Sequence, residues 1–256
     1  SQTLLDSPSE FRRKNKLEWK RKESNRRFNI NFIDGPFVEI LDDVDLQYNV
    51  QFIDGDTGSV VYETSIKSNH WTKASKKYYV NWIVKIKGID NDFYREEKFN
   101  AEGQRIMICF ESKSLGDSLA WMPYVEEFRI KNKCNVICST FKNDLFKGQY
   151  PEIEFVEPGV GVNNIYGLYR LGLFYDDNRT IRYDNHPTNP KVEPLGKMAT
   201  DILGLEYKEI RPKLPTFSNK KKKRVCIAVH STSQCKYWNN PTGWQEVVDH
   251  YKDKGY

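Results

Sequence analysis

The chain has 256 residues and a formal charge of +5, from 40 Lys and Arg against 35 Asp and Glu. Hydrophobic residues make up 38% and aromatics 14%, which excludes a disordered chain and leaves room for one or two compact domains. The charge excess gathers largely in two clusters, Arg12 to Lys22 and Lys220 to Arg224, that lack the interleaved aromatics of a base-stacking platform, so no nucleic-acid partner is expected.

Residues 1–30 read as a basic arm or helix, with an amphipathic turn around Phe11 to Trp19. Residues 31–103 read as a β-rich N-terminal domain, a small barrel or sandwich. Period-two alternation predicts strands at Phe37 to Leu41, Tyr48 to Ile53, Ser59 to Thr64 and Tyr78 to Ile86, with a further one at Phe93 to Phe99. Asp54-Gly55-Asp56-Thr57-Gly58 supplies the turn chemistry of a hairpin between the second and third.

Residues 104–218 follow a strand, loop, helix order, as in a Rossmann-like α/β domain. The apolar run Arg105 to Phe110 predicts a strand buried on both faces. Leu119, Trp121, Met122, Val125 and Phe128 then recur at helical spacing, with Asp117 at the helix start. Strands at Asn135 to Ser139 and Ile153 to Val156 flank a short helix at Asn143 to Phe146. Pro194 to Gly204 reads as a helix closed by glycine. The stretch from Arg211 through Lys223, proline-containing and then polycationic, reads as a linker. Residues 219–256 open a second domain with a strand at Arg224 to His230 and a helix at Thr242 to Lys254. One strand and one helix are too little for a doubly wound domain, so the second Rossmann-like domain is expected to be incomplete and the chain truncated.

No apolar run reaches the roughly 18 to 20 residues of a membrane span, and the first residues lack the apolar core of a signal peptide. The five cysteines, Cys109, Cys134, Cys138, Cys226 and Cys235, are odd in number and lie mostly in apolar runs, which fits free thiols in the cytoplasm. Cys134 and Cys138 lie four residues apart on one expected strand. At ~3.3 Å per residue they are ~13 Å apart, too far to share a zinc. No metal site is expected.

Two loops carry candidate chemistry. Glu111 to Asp117 follows the first α/β strand, where ligands bind beyond the strand ends and helix N-termini point their partial positive charge. Gly116 is expected to let the backbone turn tightly and Asp117 to stand at or near the N-cap, so position alone makes Asp117 a helix cap as readily as a base. His230 to Asn239 follows the strand of the second domain. There Ser231 and Thr232 hydroxyls and the Lys236 ammonium suit a diphosphate, although an ordinary polar loop has the same composition. His230 itself reads as structural.

The run Ser114-Leu115-Gly116-Asp117-Ser118-Leu119-Ala120-Trp121-Met122-Pro123 resembles the opening loop of the glycosyltransferase family 9 heptosyltransferases. It resembles still more closely the bacterial autotransporter O-heptosyltransferases, with their Ser-Leu-Gly-Asp-x-x-Ala-Trp form. Cys138 to Phe141, Tyr150 to Gly159 and Ala199 to Leu205 extend the likeness over about residues 30 to 250. The resemblance implies a GT-B fold, two Rossmann-like domains facing across a cleft. It implies inverting transfer of a heptose from ADP-heptose to a serine hydroxyl of an autotransporter-type protein. Asp117 would be the general base, with Lys236, Thr232, Ser231 and Gly116 on the donor side. No cofactor is implied for residues 1–256, because the iron-binding cysteines of the autotransporter enzymes belong to a later region. A homo-oligomer is compatible, and residues 1–256 by themselves are expected to transfer little sugar. The alternatives are a related GT-B enzyme with another donor or a lipopolysaccharide acceptor, and a non-catalytic protein-docking module.

Overall fold

A computed structural model describes residues 25–216, 223–231 and 233–256. The basic arm up to residue 24, most of the lysine run and Thr232 lie outside the described residues. The chain divides into two units, residues 1–215 and 216–256.

In the first unit the strands are β1 (Arg27–Ile33), β2 (Phe37–Leu41), β3 (Gln47–Asp54), β4 (Val60–Lys67), β5 (His70–Lys73), β6 (Trp82–Gly88), β7 (Tyr94–Lys98), β8 (Arg105–Phe110), β9 (Asn135–Ser139), β10 (Glu154–Val156) and β11 (Gly167–Leu171). Its helices are α1 (Leu115–Asn132), α2 (Asn143–Phe146) and α3 (Leu195–Leu203). Seven strands form one sheet in the order β10-β9-β8-β11-β1-β2-β5, and four form a second in the order β4-β3-β6-β7. From β10 to β1 every pairing is parallel. β2 and β5 then continue the large sheet antiparallel, and the small sheet is antiparallel throughout.

The expected self-contained barrel or sandwich over 31–103 is therefore divided. β3, β4, β6 and β7 make the four-stranded sheet, but β1, β2 and β5 join the α/β layer. The physical cause is that β1 is saturated on both edges, with antiparallel β2 on one side and parallel β11 on the other. The two sheets also share one core. Tyr48, Val50 and Phe52 from β3 and Trp82, Val84 and Ile86 from β6 join Phe32, Val38 and Ile40 of the large sheet. Each such fully buried side chain contributes about 1.5–3 kcal/mol of transfer free energy. Phe93 stitches the layers further, stacking on Phe28 at 5.2 Å and meeting Tyr48 edge-on at 6.0 Å.

Two expected strands end differently. Residues 78–81 stay out of the β6 ladder because the Tyr79 N–H donates to the Ile202 carbonyl at 2.8 Å and Asn81 accepts from the Gly55 N–H. Residues 224–230 are not a strand. A parallel strand draws its hydrogen bonds from neighbours, and among the described residues none pairs with this segment, whose Val225 and Val229 stay exposed. The described part of the second unit holds a 3-10 turn at Gln234–Lys236 and helix α4 (Gly243–Asp253), with Trp238 packed edge-on to Trp244 at 5.1 Å.

Candidate active site

The carboxyl ends of the parallel strands position the first candidate loop. β8 is buried on alternate residues, Ile106, Ile108 and Phe110, and stops where Glu111 begins the turn into α1. The helix is held down by Trp121, Met122, Val125 and Phe128, all fully buried, and is stopped by Lys133 in a left-handed conformation. The buried stripe fixes the helix axis, and its N-terminus then aims back over the strand ends.

At that N-terminus the cap is Ser114, not Asp117. The Ser114 hydroxyl accepts from the Asp117 N–H at 3.5 Å, and Asp117 is the third helical residue. A side chain at the cap position reaches the amide three residues on, which puts Asp117 near the cap as expected. Asp117 is thereby free to use its carboxylate elsewhere, and a negative charge in the first turn is favoured by the helix dipole by about 0.3–1 kcal/mol. The Ser112 hydroxyl donates to Asp117 Oδ2 at 2.6 Å and accepts from the Ser114 N–H at 3.1 Å. Asp117 is half-buried, with Oδ2 committed to Ser112.

Gly116 does not make the tight turn expected of it. It is the second residue of α1, its φ is not positive, and an added Cβ would meet only Ser114 Oγ, at 3.8 Å.

A second cluster of charge at the same edge escaped the sequence reading. Arg170, the penultimate residue of β11, donates from Nε to Asp34 Oδ1 at 3.1 Å and from a terminal nitrogen to Glu111 Oε1 at 2.6 Å. Asp34 directly follows β1 and Glu111 directly follows β8, the two strands that flank β11. Burial alone would lower the Arg170 pKa, but the bonds to Glu111 and Asp34 outweigh it and raise it. The available signal was a lone arginine inside the apolar run Gly167-Leu168-Tyr169-Arg170-Leu171.

The thiols of this unit are no nucleophiles. Burial pushes Cys109 up to about 11, with Arg170 only partly opposing, and Cys134 likewise to about 11. Full burial also holds the Cys138 thiol, on β9, well above its ordinary value. Among the described residues no group of three or more His, Cys, Asp or Glu side chains is gathered as a metal ion would need.

The second candidate loop belongs to the other unit. Ser231 and Lys236 are both exposed, and Lys236 closes the 3-10 turn by donating its N–H to the Ser233 carbonyl at 3.0 Å. The Ser233 hydroxyl lies 3.0 Å from the exposed Cys235 sulfur, and His230 packs edge-on against Tyr237 at 5.8 Å. Asp117 and Gly116 thus share one helical turn, while Ser231 and Lys236 share a separate loop. Thr232 lies outside the described residues.

No family model matches the chain. It is similar to the autotransporter heptosyltransferase BAHTCr of Citrobacter rodentium, 34% identical over 217 residues, which are 82% of this chain and 52% of that protein. It is 33% identical to the autotransporter heptosyltransferase Aah of Escherichia coli, over 82% of this chain and 54% of Aah. The inactive autotransporter heptosyltransferase BimC of Burkholderia thailandensis is 29% identical over 83% of this chain and 50% of BimC. Among solved structures, the iron-containing dodecameric glycosyltransferase TibC of enterotoxigenic E. coli H10407 superimposes with a TM-score of 0.79 at 30% identity, covering 90% of this chain and 60% of TibC. TibC has also been solved in complex with ADP-D-beta-D-heptose. The chain spans about half the length of the relatives it matches. The iron that TibC is described as containing has no ligand set among the described residues here.

Proposed function

We infer that this chain, a homologue of the autotransporter heptosyltransferases over most of its length, carries the acceptor-side catalytic loop of a GT-B glycosyltransferase. The reaction is inverting transfer of a heptose from ADP-heptose to a serine hydroxyl of an autotransporter-type protein. The observation that carries this reading is the Asp117 carboxylate, held through one oxygen by Ser112 at the head of α1, in a chain whose relatives are heptosyltransferases.

In this mechanism the acceptor oxygen attacks the anomeric carbon as its proton passes to Asp117. The bond from that carbon to the diphosphate oxygen breaks, ADP leaves with the electron pair, and the configuration inverts. Because Oδ2 already accepts from Ser112, Oδ1 takes the proton. Ser231, Thr232 and Lys236 bind the donor diphosphate, the lysine offsetting charge on the leaving group, and the absent side chain of Gly116 lets the donor approach the helix amides. Self-association as a homo-oligomer belongs to the same reading, since TibC is dodecameric. Among the described residues no helix is long and apolar enough to cross a membrane.

Mass spectrometry of an autotransporter acceptor after incubation with ADP-heptose and the natural protein that carries this chain tests the reading. A heptose-sized mass increase on serine is expected, and its loss in Asp117→Asn. One observation favours a second reading, a non-catalytic homologue: the similarity extends to BimC, which is named inactive. An unmodified acceptor, with the carrying protein still bound to it, decides for that reading.

A further inference from the structure

Asp117 is held by Ser112, and Ser112 is held in turn by what fixes the start of its loop. Glu111, the residue before it, is constrained three times. Its N–H donates to the Leu171 carbonyl at 2.8 Å, its carboxylate accepts from Arg170 at 2.6 Å, and its Cβ packs into the space that a side chain on Gly172 would need. A Cβ on Gly172 would come within 2.8 Å of the Glu111 Cβ. Arg170 is itself anchored on its far side by Asp34, so its planar fork spans the ends of three adjacent parallel strands, β1, β11 and β8.

We propose that Arg170 is a positioning residue for Asp117, acting through Glu111 and Ser112. The proposal rests on the reading of Asp117 as the base. The clamp sets where Glu111 leaves the sheet, and one peptide later the Ser112 hydroxyl must meet Asp117 Oδ2 at 2.6 Å. A displacement of Glu111 is passed on through that single peptide, turning the carboxylate away from an acceptor hydroxyl. The clamp is not principally a stabilising device. The side chains of Arg170, Asp34 and Glu111 are 39%, 28% and 37% exposed, and ion pairs so open to water add little to folding stability. Losing the clamp therefore disturbs geometry more than it unfolds the protein.

The test uses the natural protein that carries this chain, with ADP-heptose as donor, and compares Arg170→Met, Arg170→Lys, Asp117→Asn and the Arg170→Met/Asp117→Asn pair. Arg170→Met is expected to lower kcat about ten-fold or more while KM for ADP-heptose stays within about two-fold, because general-base geometry and not donor binding is lost. Added guanidinium ion is expected to restore part of that kcat. The double variant is expected to be no slower than Asp117→Asn alone, since a misplaced base and an absent one fail at the same step. If Arg170→Met does not fold, Arg170→Lys serves: it keeps the charge without the fork, and a lowered kcat at constant KM supports the proposal. A wild-type kcat in Arg170→Met or Arg170→Lys, or multiplying losses in the double variant, overturns it. Wild-type turnover by Asp117→Asn overturns the base reading and the proposal with it, whereas an inactive Asp117→Asn beside a fully active Arg170→Met overturns the proposal alone.

Discussion

If Asp117 is the base proposed above, Ser112, which donates to its Oδ2, is the residue whose removal separates holding the base from being it. On the proposed reading Asp117→Asn deletes the proton acceptor, and general-base catalysis typically contributes about 10²–10⁴-fold, so kcat should fall by at least about two orders of magnitude. Ser112→Ala leaves the carboxylate but frees Oδ2. A smaller loss, about ten-fold, is expected, with kcat measured at saturating donor as the readout. A drop in Ser112→Ala as deep as in Asp117→Asn would instead mean that the serine itself handles the proton. His186 offers a pH-dependent residue. It is 1% exposed, and its Nε2 accepts from the Phe174 N–H at 2.9 Å, which requires the neutral ring. Burial holds its pKa below the ordinary 6.5. The unfolded chain therefore binds the proton first: the stability His186 supplies is complete above pH 6.5 and is lost as pH falls through the lower folded value. Thermal unfolding between pH 7.5 and pH 5 should show a falling midpoint, and His186→Gln, which can accept without titrating, should flatten that slope.

At the scale of elements, the agreement between pattern and structure is uneven for a physical reason. β2, β8, β9 and α2 start and stop where the sequence says, because alternation and apolar runs are local. β1, β5 and β11 were not legible. Residues 27–33 alternate Phe28, Ile30 and Phe32 with polar neighbours but follow directly on the basic arm, β5 is four residues long, and β11 carries an arginine. Helix α3 ends as expected at Gly204, whose φ of 65° favours glycine. Its surroundings add a second demand that the sequence did not carry, because a Cβ there would lie 2.0 Å from the Tyr79 ring. Left-handed strain costs about 1–2 kcal/mol by itself. Gly204→Ala should therefore destabilise by more than about 2 kcal/mol in denaturant unfolding, while Gly148→Ala, with open space around it, should stay near wild type.

For the molecule as a whole, the small antiparallel sheet and the α/β layer share one core through Phe32, Val38, Ile40, Trp82 and Ile86, so they should unfold together. Trp82 is 1% exposed, and a large-to-small change at such a site costs about 3–5 kcal/mol. Trp82→Ala is expected to lower a single cooperative transition seen alike by far-ultraviolet circular dichroism and by tryptophan fluorescence. Two separated transitions would mean that residues 31–103 fold as a domain of their own. By itself the sequence determined the α/β grammar from β8 to β10, the loop bearing Asp117, and the likeness to heptosyltransferases, since each is written in neighbouring residues. Tertiary structure alone decided that β1 joins the large sheet and that Arg170 bridges Asp34 and Glu111. Those facts depend on strand partners more than 50 residues away in the chain, such as Arg170 and Glu111 at a separation of 59, and no local pattern records which strand end will lie beside which.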